Sequence, residues 1–131
     1  MKISTKGRYG FLIMLNLAAA YDKDEFVSLK DIADKENISL KYLEKIMISL
    51  KKADFFEVAK GKEGGYKLKR KPEEYTIGEI IRAADEELNV ASCVNNEICP
   101  NQNNCKTYSL WKDLSDEINK FLDSKNLSEY I

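Results

Sequence analysis

SLKDIADKENISLKYLEKIMISLKK, residues 28–52, holds two short apolar periodicities, each opened by a serine. Ser28 suits a helix N-cap, with Asp31 three residues on and Leu29, Ile32 and Ala33 as the apolar side. Asn37 ends that helix. Ser39 caps the next one, whose inner face is Leu43, Ile46, Met47 and Leu50. Two short helices across a tight turn have the shape of a helix-turn-helix unit.

On the C-terminal side of this unit the pattern turns β-like. EVAK (residues 57–60) and YKLKR (66–70) flank GKEGG (61–65), which holds three of the chain's six glycines. Glycines between two short runs signal a hairpin, and a hairpin directly after a helix-turn-helix unit is a wing. Its projecting strand and tip carry Lys60, Lys62, Lys67, Lys69, Arg70 and Lys71, and Pro72 closes the segment.

Upstream lies FLIMLNLAAA, residues 11–20. Lys2, Lys6 and Arg8 precede it in imitation of a secretory signal, but Asn16 interrupts the run. It also falls short of the roughly 20 apolar residues that span a bilayer. Phe11, Leu12, Leu15, Ala18 and Ala19 form one face of a 3.6-period helix, so a buried first helix is expected, followed by a polar turn over residues 21–26.

Downstream, Thr76 with Glu79 opens a capped helix through Ala84. Residues 93–105 lose all periodicity and contain five asparagines and Pro100, so they read as a loop. Residues 106–125 are helical again, with Leu110, Trp111, Leu114, Ile118, Phe121 and Leu122 on one broad apolar face. The expected fold is mainly α with a small β-hairpin. A winged helix-turn-helix occupies residues 1–72, and residues 73–131 supply a thiol loop and a long C-terminal dimerisation helix.

Composition removes several functions. The 131 residues include no histidine, which excludes Ser-His-Asp and Cys-His nucleophile pairs, HExxH zinc sites and histidine pH switches. No general base accompanies the cysteines, so an enzyme is not expected. The net charge of −1 conceals two halves of opposite sign: residues 1–72 hold 16 basic and 10 acidic side chains, residues 73–131 hold 5 and 12. Such asymmetry points to a nucleic-acid or membrane surface in one half. Three cysteines, an odd number, fit a reducing cytoplasm better than a secreted disulfide framework. A cytoplasmic protein without a membrane partner is expected.

Two constellations carry chemistry. With the inner face of residues 38–52 turned to the core, Lys41, Tyr42, Glu44, Lys45 and Ser49 face outward. The start of a recognition helix meets base edges in the major groove, where Lys can read guanine and Glu can accept from cytosine N4. Ser39 and the free N–H groups at the helix start suit a phosphate. Lys60 and Lys62 at the hairpin tip suit phosphates or a minor groove, and Arg8, Lys6, Thr5 and Ser4 suit backbone contacts. The second constellation is Cys93, Cys99 and Cys105, a C-x5-C-x5-C run in one polar loop. Three thiolates in a loop can converge on a soft metal or an iron–sulfur centre, and the spacing is not that of a zinc ribbon.

Taken in order, MKISTKGRYG (1–10), ISLKYLEKI (38–46), GKEGGYKL (61–68), the cysteine triplet and LWKDLSDEINKFL (110–122) resemble the IscR/NsrR/RirA family of bacterial winged-helix regulators, and within it the iron–sulfur cluster regulator. The resemblance covers essentially the whole chain. It implies a homodimer on double-stranded operator DNA, with Ser39, Lys41, Tyr42 and Glu44 where the recognition helix meets DNA. It also implies an iron–sulfur cluster on Cys93, Cys99 and Cys105, with 2Fe–2S favoured and 4Fe–4S open. Cluster status would then set operator binding, most simply as a repressor of cluster assembly genes. The chain departs from the family pattern in two ligand positions. Tyr108 stands where the cluster regulator has a histidine, and Arg8 where the nitric-oxide-sensing branch has an aspartate. Glu97, Tyr108, a carboxylate of a second subunit or a small external thiol remain open as the fourth ligand. Lys60 replaces the family's wing arginine, keeping the charge and losing the planar fork, while Lys62 and Glu63 stand in place of a proline and a glycine. The alternatives are a cluster-free regulator of cysteine or sulfur metabolism that senses through thiols or a partner, a nitric-oxide sensor, and an adaptor whose helix-turn-helix no longer binds DNA.

Overall fold

Ser4 Oγ accepts a hydrogen bond from the Gly7 N–H at 3.0 Å and opens the first helix, α1 (Thr5–Ala19). The computed structural model describes residues 3–61, 64–85, 90–94 and 101–131, and the same device recurs along them. Ser28 Oγ accepts from the Asp31 N–H at 3.0 Å ahead of α2 (Leu29–Glu36). Ser39 Oγ accepts from the Tyr42 N–H at 3.3 Å ahead of α3 (Leu40–Lys51). Between them Asn37 stands at φ 55°, the left-handed conformation that stops a helix and that asparagine tolerates. Thr76 and Glu79 form a reciprocal capping box at α4 (Ile77–Ala84), and the last helix is α5 (Tyr108–Asp123).

The hairpin pairs β1 (Phe56–Val58) with β2 (Tyr66–Leu68) antiparallel, Phe56 opposite Leu68 and Val58 opposite Tyr66. Phe56 and Leu68 turn into the core and anchor the wing. A third short partner was not expected. The Val27 N–H donates to Tyr66 O at 2.9 Å and the Tyr66 N–H to Val27 O at 2.8 Å, so the turn after α1 is stitched to the wing. Gly65, at φ 129°, lets the chain press against Phe26 and Val27 at this crossing.

One core runs through all of this. Ile13, Met14 and Leu17 of α1, Ile32 of α2, Leu43, Ile46, Met47 and Leu50 of α3 and Ile80 of α4 are buried with Leu68, Tyr75 and Leu127. The faces expected for α2 and α3 are those observed. For α1 the observed buried face is rotated from the expected one and shares only Ala18 with it. Phe11, Leu12 and Leu15 are half-buried and Ala19 is exposed, while Gly7, Gly10, Ile13, Met14, Leu17 and Ala18 turn inward. The glycines are the reason, because their missing side chains let α4 come close. A Cβ on Gly10 would stand 2.5 Å from Ala84 Cβ, and one on Gly7 3.2 Å from Ile81 Cγ2. Asn16, the polar break in the apolar run, donates to Leu12 O at 2.9 Å and to Glu36 Oε1 at 3.2 Å, tying α1 to the end of α2.

The core also crosses residue 72, where a boundary between two units is expected. α4 packs on α1 and α3, and the segment after α5 returns to the same core. The Ile77 N–H donates to Lys125 O at 2.9 Å, the Leu127 N–H to Tyr75 O at 3.2 Å, and the Leu127 side chain is fully buried. No helix among the described residues is long and apolar enough to cross a membrane.

In an open helix Gly→Ala gains about 1 kcal/mol, whereas forcing a methyl into a packed contact costs about 1–3 kcal/mol. Gly10→Ala is therefore expected to lower the urea midpoint rather than raise it. The double variant with Ala84→Gly should recover part of the loss as a positive coupling in a mutant cycle.

Candidate nucleic-acid interface and thiol site

Burial of Leu43, Ile46, Met47 and Leu50 turns the opposite side of α3 to solvent, and Ser39, Lys41, Glu44 and Lys45 are exposed there. Tyr42, expected to face outward with them, is half-buried. Its ring packs edge-on against Tyr9 with centroids 5.7 Å apart, because position 42 borders the apolar face. This contact sets the start of α1 beside the start of α3. Arg8, next to Tyr9, is exposed, with Nη2 donating to Thr5 Oγ1 at 3.3 Å.

The wing is less free in its charge than its lysines imply. Lys67 pairs with Asp24, and its ammonium lies over the Phe26 ring. Lys69 pairs with Asp54. Arg70 donates to Glu79 Oε1 at 2.8 Å and to Glu74 O at 3.1 Å, with its guanidinium 4.2 Å from the centre of the Tyr75 ring. The Glu79 hydrogen bond holds Arg70 above even its ordinary pKa, so this charge is permanent and internally matched. Lys60 is exposed, and like Lys41 and Lys45 it enters no ion pair among the described residues. Lys62 and Glu63 lie outside the described residues.

Beneath the wing, Tyr75 is completely buried. Its hydroxyl donates to Phe55 O at 2.8 Å and accepts from the Arg70 N–H at 3.0 Å. Glu79 thus serves two elements at once: Oε2 caps α4 through the Thr76 N–H at 3.2 Å, and Oε1 holds the base of the wing. Across α4, Arg82 Nη1 donates to Asn119 Oδ1 at 2.9 Å and Nη2 pairs with Asp123, fastening α5 to α4. The capping role of Glu79 is visible in its spacing from Thr76. Its bond to Arg70 and the Arg82 contacts, which span 37 and 41 residues, have no local signal.

Of the three thiols, Cys93 and Cys105 lie among the described residues, both free. Cys99 and Glu97 lie outside them. Cys93 is half-buried in the 3-10 turn Ser92–Val94, which packs against α5. Cys105 is exposed just before α5, with Sγ 3.4 Å from Thr107 Oγ1. That hydrogen bond, helped by the backbone N–H groups of Thr107 and Tyr108, holds the Cys105 thiol below its ordinary pKa. Trp111 Nε1 donates to the same Thr107 Oγ1 at 3.1 Å, and Tyr108 is the first residue of α5, half-buried. Among the described residues no three potential ligands converge. The donor chemistry nevertheless fits a soft metal centre: two unbridged thiols outside the apolar core, one of them held below its ordinary pKa.

Serine-capped paired helices, a hairpin wing behind them and an exposed basic face on the second helix define a winged helix-turn-helix transcription regulator. The family model described as Rrf2, an iron-dependent transcriptional regulator, matches residues 3–131, and the chain belongs to that family. It is 40% identical over 129 residues to the HTH-type transcriptional regulator IscR of Aliivibrio salmonicida (strain LFI1238), covering 98% of this chain and 76% of that protein. Among solved structures it is similar to CymR (YrzC), the global cysteine regulator of B. subtilis, with 34% identity and a TM-score of 0.77 over 98% of this chain and 94% of that one. It is also similar to IscR of T. potens, with 33% identity and a TM-score of 0.74 over 98% and 84%. These relatives are named as regulators, not as enzymes.

The thiolate is the species that alkylates. With Cys93 and Cys99 replaced by alanine, Cys105 should reach half its limiting rate with iodoacetamide at a lower pH in the native protein than in the urea-unfolded chain. Coincident profiles would contradict the hydrogen-bonded thiolate.

Proposed function

We propose that this chain is an iron–sulfur-sensing repressor of cluster assembly genes that binds operator DNA as a homodimer in the cytoplasm. The observation that carries the reading is the thiol loop. Cys93, Cys99 and Cys105 are the ligands, and the Cys105 thiol, just before α5, is already held below its ordinary pKa. A bound cluster, 2Fe–2S ahead of 4Fe–4S, would supply a redox-sensitive cross-link within residues 93–105.

The chain's own residues do the rest. Ser39, Lys41, Glu44 and Lys45 present the outer face of α3 to the major groove, Tyr42 steadies that face against Tyr9, and Arg8, Lys60 and Lys62 engage the backbone. Arg82 fastens α5 to α4, and Glu79 with Arg70 fastens α4 to the base of the wing. Displacement of α5 is thereby shared with the DNA-facing elements. A second copy covers α5, whose apolar face stays open: Leu110 and Phe121 are each 58% exposed, and Ser115 is its one buried residue.

Similarity to CymR supports a second reading, in which the same thiols sense cysteine supply without a cluster. Anaerobic purification with iron and sulfide analysis separates the two. The wild-type chain should show visible absorbance that Cys99→Ala abolishes, and undiminished absorbance in the variant would remove the ligand assignment. Lys60→Ala should lower the slope of log affinity against log salt by about 0.9, the release expected for one lost phosphate contact.

A further inference from the structure

The outer face of α3 is not wholly polar. Ile48 is 63% exposed on it, outside the packed row of Leu43, Ile46, Met47 and Leu50. On a helix turning about 100° per residue, Ile48 lies within about 20° of the line through Lys41, two turns further on. Glu44 and Lys45 precede it by one turn, and Lys52 follows it by one, all exposed. Ile48 thus occupies the middle of the charged face rather than its edge. A protein partner would need a continuous apolar patch, and none surrounds this residue on the helix. Leu40, the other exposed apolar residue of α3, is two turns away and about 80° around the axis.

The major groove offers lysine the acceptors of guanine and offers glutamate the amino group of cytosine. It presents one apolar group, the 5-methyl of thymine. We infer that Ile48 is a specificity-determining residue that selects thymine by packing on that methyl. The inference rests on the proposed operator binding and adds a base preference to it. Lys45 before it and Lys52 after it are placed to reach phosphates, and the isoleucine fills the space between them along the helix. Alanine at this position leaves the fold intact, because the side chain has no core contacts and alanine is the better helix former.

The test starts with the full chain selecting from a pool of random DNA duplexes. The enriched site is then resynthesised with each thymine in turn replaced by deoxyuridine, which removes only the methyl. At one position, or at a pair related by two-fold symmetry, the replacement should weaken wild-type binding about fourfold, the effect of one buried methyl group. Ile48→Ala should bind the unmodified site about fourfold more weakly and be indifferent to deoxyuridine at that position. An enriched site at which both proteins respond alike to every replacement overturns the inference and leaves operator binding standing. Failure to enrich any duplex overturns operator binding itself, and the inference with it.

Discussion

A single phenol hydroxyl holds the winged half of the molecule in register. Tyr75 is buried to its last atom, and an unpaired hydroxyl at that depth costs about 1–3 kcal/mol. Its two hydrogen bonds, to Phe55 O and from the Arg70 N–H, join the chain entering the hairpin to the chain leaving it. The Tyr75 carbonyl accepts from Leu127, which brings the end of the chain to the same point. The ring lies under the Arg70 guanidinium and edge-on to Phe55. The wing cannot pivot on its base without breaking one of these contacts.

Local chemistry is what the sequence makes legible. A serine or threonine hydroxyl that accepts from the N–H three residues on marks a helix start, and Ser28, Ser39 and Thr76 all do so. Asn37 is legible as a stop for the same reason. The rotation of α1 is not, because almost every position from 11 to 20 is apolar and any sector satisfies the pattern. Two absent side chains, at Gly7 and Gly10, choose the sector instead. Val27 carries no signal of its own, since one residue shows no alternation, yet it pairs with Tyr66.

The charge pattern needs a similar correction. Counting lysines along the wing finds positive charge but not the carboxylates facing it. Asp24 and Asp54 come from segments 43 and 15 residues away and neutralise Lys67 and Lys69. Among the described residues Lys41 and Lys45 on α3 and Lys60 near the hairpin tip enter no ion pair, so the wing's own positive field is narrower than its lysine count implies. The equal spacing of the three cysteines is legible. The lowered pKa of Cys105 is not, because it depends on how Thr107 folds at the helix start. Ile48 escapes a pattern reading for a plain reason: polar residues mark the outer face, and an isoleucine among lysines adds no polar signal.

The attachment of α5 is lopsided. From Asn119 onward it is pinned to the core through Arg82, the Ile77–Lys125 hydrogen bond and the buried Leu127, and its other end meets the thiol segment. At 1.5 Å per residue the stretch from Asn119 back to Tyr108 is a rigid arm of roughly 16 Å. A rotation of about 10° at the pinned end sweeps the far tip through roughly 3 Å. By the same geometry, a displacement of a few ångströms at the Cys105 end would become a small rotation at the fulcrum, where Leu127 meets the tyrosine that holds the wing.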